Sequence, residues 1–169
     1  MQLRIAAIIT AFLATTAVAS PVEIDSSCTA TSYDQIAATK TCTAITIQGP
    51  FTVPANSKID LTGLITGTTI TITGKITFAK GTLDESNNLV TIGGSDITID
   101  GSNGSFDGSG PDYWDGGGAF GGINKPKFIR LQSLSGTIKG LTVVGSPVQT
   151  FIIYRCTGLT LSGITIDNR

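Results

Sequence analysis

The sequence predicts an all-β solenoid, a parallel β-helix, and three observations carry that reading. A four-residue unit recurs along the chain, the composition favours β-branched residues over charge, and glycines close the repeated runs. The unit is Thr, aliphatic, variable, Gly. It occurs as Thr46-Ile47-Gln48-Gly49, Thr71-Ile72-Thr73-Gly74, Thr98-Ile99-Asp100-Gly101, Thr137-Ile138-Lys139-Gly140 and Thr160-Leu161-Ser162-Gly163. The offsets are 25, 27, 39 and 23 residues. The last pair is the cleanest: TIKGLTVV and TLSGITID superpose, and so do Phe128-Ile129 and Phe151-Ile152. Register kept over such distances means that successive copies stack on one another.

The first residues stand apart from that pattern. MQLR supplies one positive charge, IAAIITAFLATTAVA is an apolar core, and Ala17-Val18-Ala19 is a small-residue cleavage pattern. Residues 1–19 are read as a secretory signal peptide removed after Ala19, and 20–27 as a short pro-segment or the mature N-terminus. The apolar run is short for a membrane span, and no charged anchor follows it. Export places the chain in an extracellular, oxidising setting. Cys28 and Cys42 lie close together around a helix-like stretch, and we pair them; Cys156 is left over.

That stretch carries a capping box, Ser32 with Gln35, followed by Ile36 and Ala37 as apolar positions. A short helix here would cover the open first coil, which otherwise exposes strand edges and interior aliphatics. In the coils themselves, alternating side chains point in and out. Ile47, Ile72, Ile99, Ile138 and Leu161 would stack as one interior ladder, and the glycine after each would bend the chain between strands. The alternative, a sandwich of antiparallel hairpins, needs turn signals every 8–12 residues but no register between distant copies.

The 39-residue offset exceeds its neighbours by about 14 residues, and the surplus lies in GSGPDYWDGGGAFGGINKPK, a loop thrown out of one coil. Trp114 is read as its packed anchor, and Asp112, Tyr113 and Lys125 as candidate rim contacts to a ligand. Asn103-Gly104-Ser105 is an N-glycosylation sequon in a turn-rich stretch, with Asn103 as the acceptor.

The chemistry is bounded by what is missing. There are 11 Lys+Arg against 12 Asp+Glu, and loss of Arg4 with the leader leaves about −2, which does not suggest a nucleic-acid partner. The chain has no His, hence no Ser-His-Asp triad, no Cys-His pair and no His-based zinc site. No phosphate-cradling loop with Lys after Gly occurs. Most of the scattered aspartates read as turn formers beside glycine.

Taken together, CTATSYDQIAATKTC, ITIDGSNGSFDGSGPDYWDGGG, INKPKFIRLQSLSGTIKGLTVVGSPVQTFII and LTLSGITIDNR resemble, in that order, the amino-terminal half of fungal endo-polygalacturonases of glycoside hydrolase family twenty-eight. The resemblance implies a right-handed parallel β-helix of which residues 28–169 form the N-terminal part of a single domain, with C-terminal coils missing. It implies hydrolysis of the α-1,4 bonds of polygalacturonic acid in pectin, with inversion, by carboxyl groups spaced to admit a water. It implies no metal or organic cofactor, no membrane partner, and a monomer when full length. The family's catalytic signatures, Asn-Thr-Asp, Asp-Asp, Gly-His-Gly and Arg-Ile-Lys, do not occur in these residues, and the family places them after the strand that holds Asp167. No catalytic residue is therefore assigned, and the chain by itself is expected to be inactive. Gln149, in SPVQ, matches a family position beside the cleft-side strands and is equally read as a polar residue closing a turn after Pro147. A catalytically inactive pectin-binding stub is the alternative reading. A calcium-dependent lyase on the same fold is weaker, since clustered acidic ligands are not seen.

Overall fold

The computed structural model describes residues 28–119 and 121–169. Residues 1–19, read above as a signal peptide, and residues 20–27 lie outside the described residues. All strand pairings among the described residues are parallel, which excludes the antiparallel sandwich there. No helix among the described residues is long and apolar enough to cross a membrane.

Each coil contributes to three ladders in turn. The first ladder runs Thr29–Ala30, Ala44–Gln48, 69–73, 97–100, 136–139 and Leu159–Ser162. The second holds Phe51–Val53, 75–78, 105–107, Thr142–Val144 and Thr165–Asp167. The third holds Ile59–Leu61, 88–92, 127–131 and Phe151–Tyr154. Four coils visit all three ladders, and a fifth visits the first two. This arrangement follows from the period-two alternation read in the sequence.

Inward side chains of one ladder stack on those of the next coil. Ile45, Ile70, Ile99 and Ile138 sit in direct register, each at most 2% exposed. Val90, Ile129, Ile92 and Leu131 do the same on the third ladder. Each such burial stabilises by about 1.5–3 kcal/mol, offset against the entropy of ordering the chain. Where the second ladder meets the third, Phe78 takes edge-on contacts with Phe106 at 6.0 Å and Phe128 at 5.5 Å. These three rings are fully buried and fill that corner of the interior.

One predicted detail is corrected. Ile72 stacks on Ile47, but Ile99 stacks on Ile70 instead of Ile72. Between the second and third coils the offset is therefore 29 at Thr69↔Thr98, not the 27 obtained by aligning the Thr-Ile-x-Gly units, and it grows to 30 beyond an irregularity at Thr71/Thr73. A slip of two residues keeps every isoleucine on the inside, so alternation alone does not reveal it. The glycine at the corner follows the true register, and Gly74 faces Gly104. Gly74 needs to be glycine twice over: its φ is +67°, and a Cβ there would lie 2.7 Å from the Gly49 carbonyl oxygen.

The N-terminal cap forms as a 3-10 turn, Tyr33–Gln35, continued by a four-residue α-helix, Ile36–Thr39. The Cys28–Cys42 disulfide closes it. Ile36, 3% exposed, plugs the end of the aliphatic core, whereas Ala37 faces solvent. The capping box is displaced by one residue. Ser32 makes no side-chain cap, and Gln35 Oε1 instead accepts hydrogen bonds from the Thr31 backbone N–H at 2.7 Å and the Thr31 hydroxyl at 3.0 Å. Gln35 thus satisfies a donor one position earlier than the motif assumes.

Two glycines separate strain from steric clash. Gly116 has φ +77° with open space around it, and Gly116→Ala is expected to cost about 1–2 kcal/mol from backbone strain alone. Gly74→Ala adds a clash with backbone atoms that cannot move aside, and is expected to cost at least twice as much. Urea unfolding midpoints of the two variants check the order.

Candidate functional site

The turn between the second and third ladders varies most along the solenoid. It spans 54–58 in the first coil, 79–87 in the second, 108–126 in the third and 145–150 in the fourth. Corner turns of adjacent coils lie against one another, so the long third-coil turn must leave the stack and fold over its neighbours.

Its first limb is pinned from both sides. The Asp107 carboxylate accepts from Ser109 N–H at 3.0 Å and pairs with the Lys75 ammonium at 2.6 Å. Ser109 Oγ donates to the Phe78 carbonyl at 2.8 Å, towards the second coil. Gly110 N–H donates to the Gly145 carbonyl at 2.7 Å, towards the fourth. Tyr113 is 1% exposed, and its hydroxyl accepts from Gly81 N–H at 2.9 Å. Lys80 donates to the Asp112 carbonyl at 2.6 Å. The Asp112 side chain is exposed.

The tip is organised by one carboxylate and one ammonium. Asp115 accepts hydrogen bonds from the Lys125 ammonium at 2.5 Å, from Gly117 N–H at 2.9 Å and from Ile123 N–H at 2.7 Å. Lys125 is 4% exposed and also donates to the carbonyls of Gly118 at 2.9 Å and Gly121 at 3.0 Å. All three of its protons are engaged inside the loop. Lys125, then the Gly117 and Ile123 amides, hold the Asp115 carboxyl well below the usual carboxylate range.

Beside this tip lies a cavity of about 440 Å³, bordered by Trp114, Lys125, Ser146, Pro147, Val148 and Asn168 among others. Trp114 is 41% exposed, and its Nε1 donates to the Ser146 carbonyl at 3.0 Å. That bond fixes the ring as one wall. Asn168 Oδ1 accepts from Ser146 N–H at 2.8 Å and lines the same cavity. An aromatic face, two apolar side chains and an amide make a concavity suited to an amphipathic ring.

The sequence-derived candidates separate accordingly. Asp112 and Tyr113 sit on the limb facing the second coil. Lys125 borders the cavity, but its ammonium is engaged by partners within the loop. Gln149 is exposed beside it, directly after Val148, with its carbonyl accepting from Phe128 N–H at 2.9 Å. The four are not one constellation. Sequence reasoning missed Ser146, Val148 and Asn168 as walls. The available signal was the clean register of the last coils, which sets their corner turns beside the loop. Asn103 is exposed, opposite Thr73 at the corner after the first ladder. Cys156 is half-buried, with its thiol 3.4 Å from the Leu131 carbonyl.

Residues 42–169 match the model of the family described as glycosyl hydrolases family 28. The chain belongs to that family. Polygalacturonase 2 of Penicillium olsonii is 42% identical over 132 residues, covering 77% of this chain and 34% of that protein. A polygalacturonase of Saccharomyces cerevisiae is 41% identical over 158 residues, covering 90% of this chain and 42% of that protein. Among solved structures, endopolygalacturonase I from Stereum purpureum, complexed with two galacturonates, superposes with a TM-score of 0.77 at 42% identity, over 83% of this chain and 41% of that one. This family 28 chain thus spans less than half the length of these relatives.

The Asp115 clamp gives a pH dependence. Its folded-state pKa lies below the unfolded value, so its contribution is complete above about pH 4 and is lost as pH falls through the folded-state pKa. Trp114 is the only tryptophan and adjoins Asp115. Its emission is expected to stay constant from neutral pH to about pH 5 and to change only below the ordinary carboxylate range. Asp115→Asn, which deprives buried Lys125 of its counter-ion, is expected to show the altered emission already at pH 7.

Proposed function

We propose that this chain is the amino-terminal scaffold of a secreted endo-polygalacturonase that cleaves the α-1,4 bonds of polygalacturonate in pectin. The single observation that carries the reading is the 42% identity, on a common fold, to an endopolygalacturonase whose structure holds galacturonate. Family membership over residues 42–169 supports it. The leader-like residues 1–19 support an extracellular location, and pectin is the partner in view.

Inverting hydrolysis needs one carboxylic acid to protonate the leaving oxygen and a carboxylate on the opposite face to activate water. In the described residues the prominent aspartates are committed to structure. Asp115 clamps the loop, Asp107 pairs with Lys75, and Asp100 pairs with Lys139 at 2.9 Å. The Lys139 ammonium, with Ser102 helping, lowers Asp100 to about 2, far from the raised pKa that suits a general acid. The work of these residues is to set the coil register, close the end of the core and shape one wall of a sugar-sized cavity.

Release of reducing ends from polygalacturonate tests the reading. The complete gene product that carries this chain is expected to release them, and the 169-residue chain alone to remain at the blank. Turnover by the chain alone would place the reactive carboxylates within these residues. No turnover by the complete product would leave a pectin-binding protein.

A further inference from the structure

We propose that Arg130, Tyr154 and Arg155 form a binding site for uronate carboxylates on the outward side of the third ladder. The proposal rests on the polygalacturonate reading above and deepens it by assigning residues.

Alternation sets Arg130 and Tyr154 outward. Arg130 is in register with Ile152 and Gln132 with Tyr154. Leu131, between the two outward positions, is fully buried. The Arg130 guanidinium carbon lies 4.9 Å from the centre of the Tyr154 ring, and that of Arg155 lies 5.0 Å from the same centre. Arg130 Nε donates to Gln132 Oε1 at 2.9 Å, which orients the guanidinium and leaves its terminal nitrogens for another acceptor. Among the described residues no ion pair joins either arginine to a carboxylate.

Two guanidiniums on one ring stand within roughly 10 Å of each other, about one Debye length at 0.1 M salt. They repel, and the ring's π-face holds both in place. Both planar forks are therefore pre-organised, positively charged and without a protein anion. Carboxylate is the ligand that a guanidinium fork engages bidentately.

The patch continues into a polar groove. A concavity of about 300 Å³ on the same ladder is lined by Lys58, Asp60, Asn88, Thr91 and Gln132 among others, and Gln132 joins it to Arg130. Amides, hydroxyls and the Lys58 ammonium, beside an Asp60 carboxylate paired with Lys40, lead to two free guanidiniums and suit a chain bearing both hydroxyls and carboxylates. A polyuronate has both; a fully methyl-esterified galacturonan has hydroxyls only.

Affinity electrophoresis of the full 169-residue chain through gels containing polygalacturonate tests this. The native chain is expected to be retarded by polygalacturonate, and far less by methyl-esterified galacturonan or by polyglutamate. Arg130→Gln/Arg155→Gln is expected to weaken retardation about tenfold or more and to flatten its salt dependence. Tyr154→Phe, which keeps the ring, is expected to bind as the native chain does, and Tyr154→Ser to weaken binding. Thermal melts identify any variant that loses its fold, and the tyrosine pair then decides. Undiminished retardation of the folded double variant overturns the site while leaving the polygalacturonate reading intact. Equal retardation by polyglutamate overturns the assignment to uronate chains. No retardation of the native chain also overturns the site, whereas the activity reading is judged separately by the release of reducing ends.

Discussion

The structure depends on one constraint: an inward aliphatic of one coil can leave water only by stacking on the aliphatic in register on the next coil. A single coil has too little interior to hide its own side chains. Parallel pairing at strand spacing makes the register strict, because a one-residue slip would turn every inward isoleucine to solvent. Ile45, Ile70, Ile99 and Ile138 satisfy this in a continuous row, and the cap adds Ile36 to the same core. Corners obey the same rule in another form. Backbone approaches backbone there, and Gly49 and Gly74 leave room for it.

The positions open to function follow from where that constraint relaxes. Extra residues cannot enter a ladder, so they leave at a corner, and the third-coil turn is the longest. Once outside the stack it cannot draw on the aliphatic core, and it relies on polar contacts. The Asp115–Lys125 pair and the amides around it do the job of a core for a glycine-rich tip. Trp114 is held out as a wall because its indole N–H is bound to the fourth coil. Outward ladder positions are likewise free of the register rule. Arg130 and Tyr154 occupy them without cost to the core.

Much of this was legible in the sequence, and the failures have physical reasons. The Thr-Ile-x-Gly units, the corner glycines, the long 39-residue offset and the Cys28–Cys42 cap all express local rules that a sequence displays directly. The two-residue slip that pairs Ile70 with Ile99 was hidden, because period-two patterns look the same after a shift of two. Tyr113 and Lys125 are polar residues in a loop, and a loop's sequence does not say that Gly81 and Asp115 will bury them. Gln35 chose Thr31 over Ser32 because a 3-10 start tightens the first turn. Ser146, Val148 and Asn168 join the cavity only through coil stacking, a long-range fact that the clean 23-residue register contained but did not point to.

The register between the second and third coils is the sharpest commitment of this account, and paired cysteines measure it. In a Cys156→Ser background, Thr71→Cys/Asp100→Cys brings together outward residues that stand in register, at a separation a disulfide spans. Thr73→Cys/Asp100→Cys would stand in register only if the Thr-Ile-x-Gly units were aligned. Mild oxidation is expected to cross-link the first pair and not the second. Cross-linking of the second pair alone would contradict the stacking on which the fold, the loop and the proposed site depend.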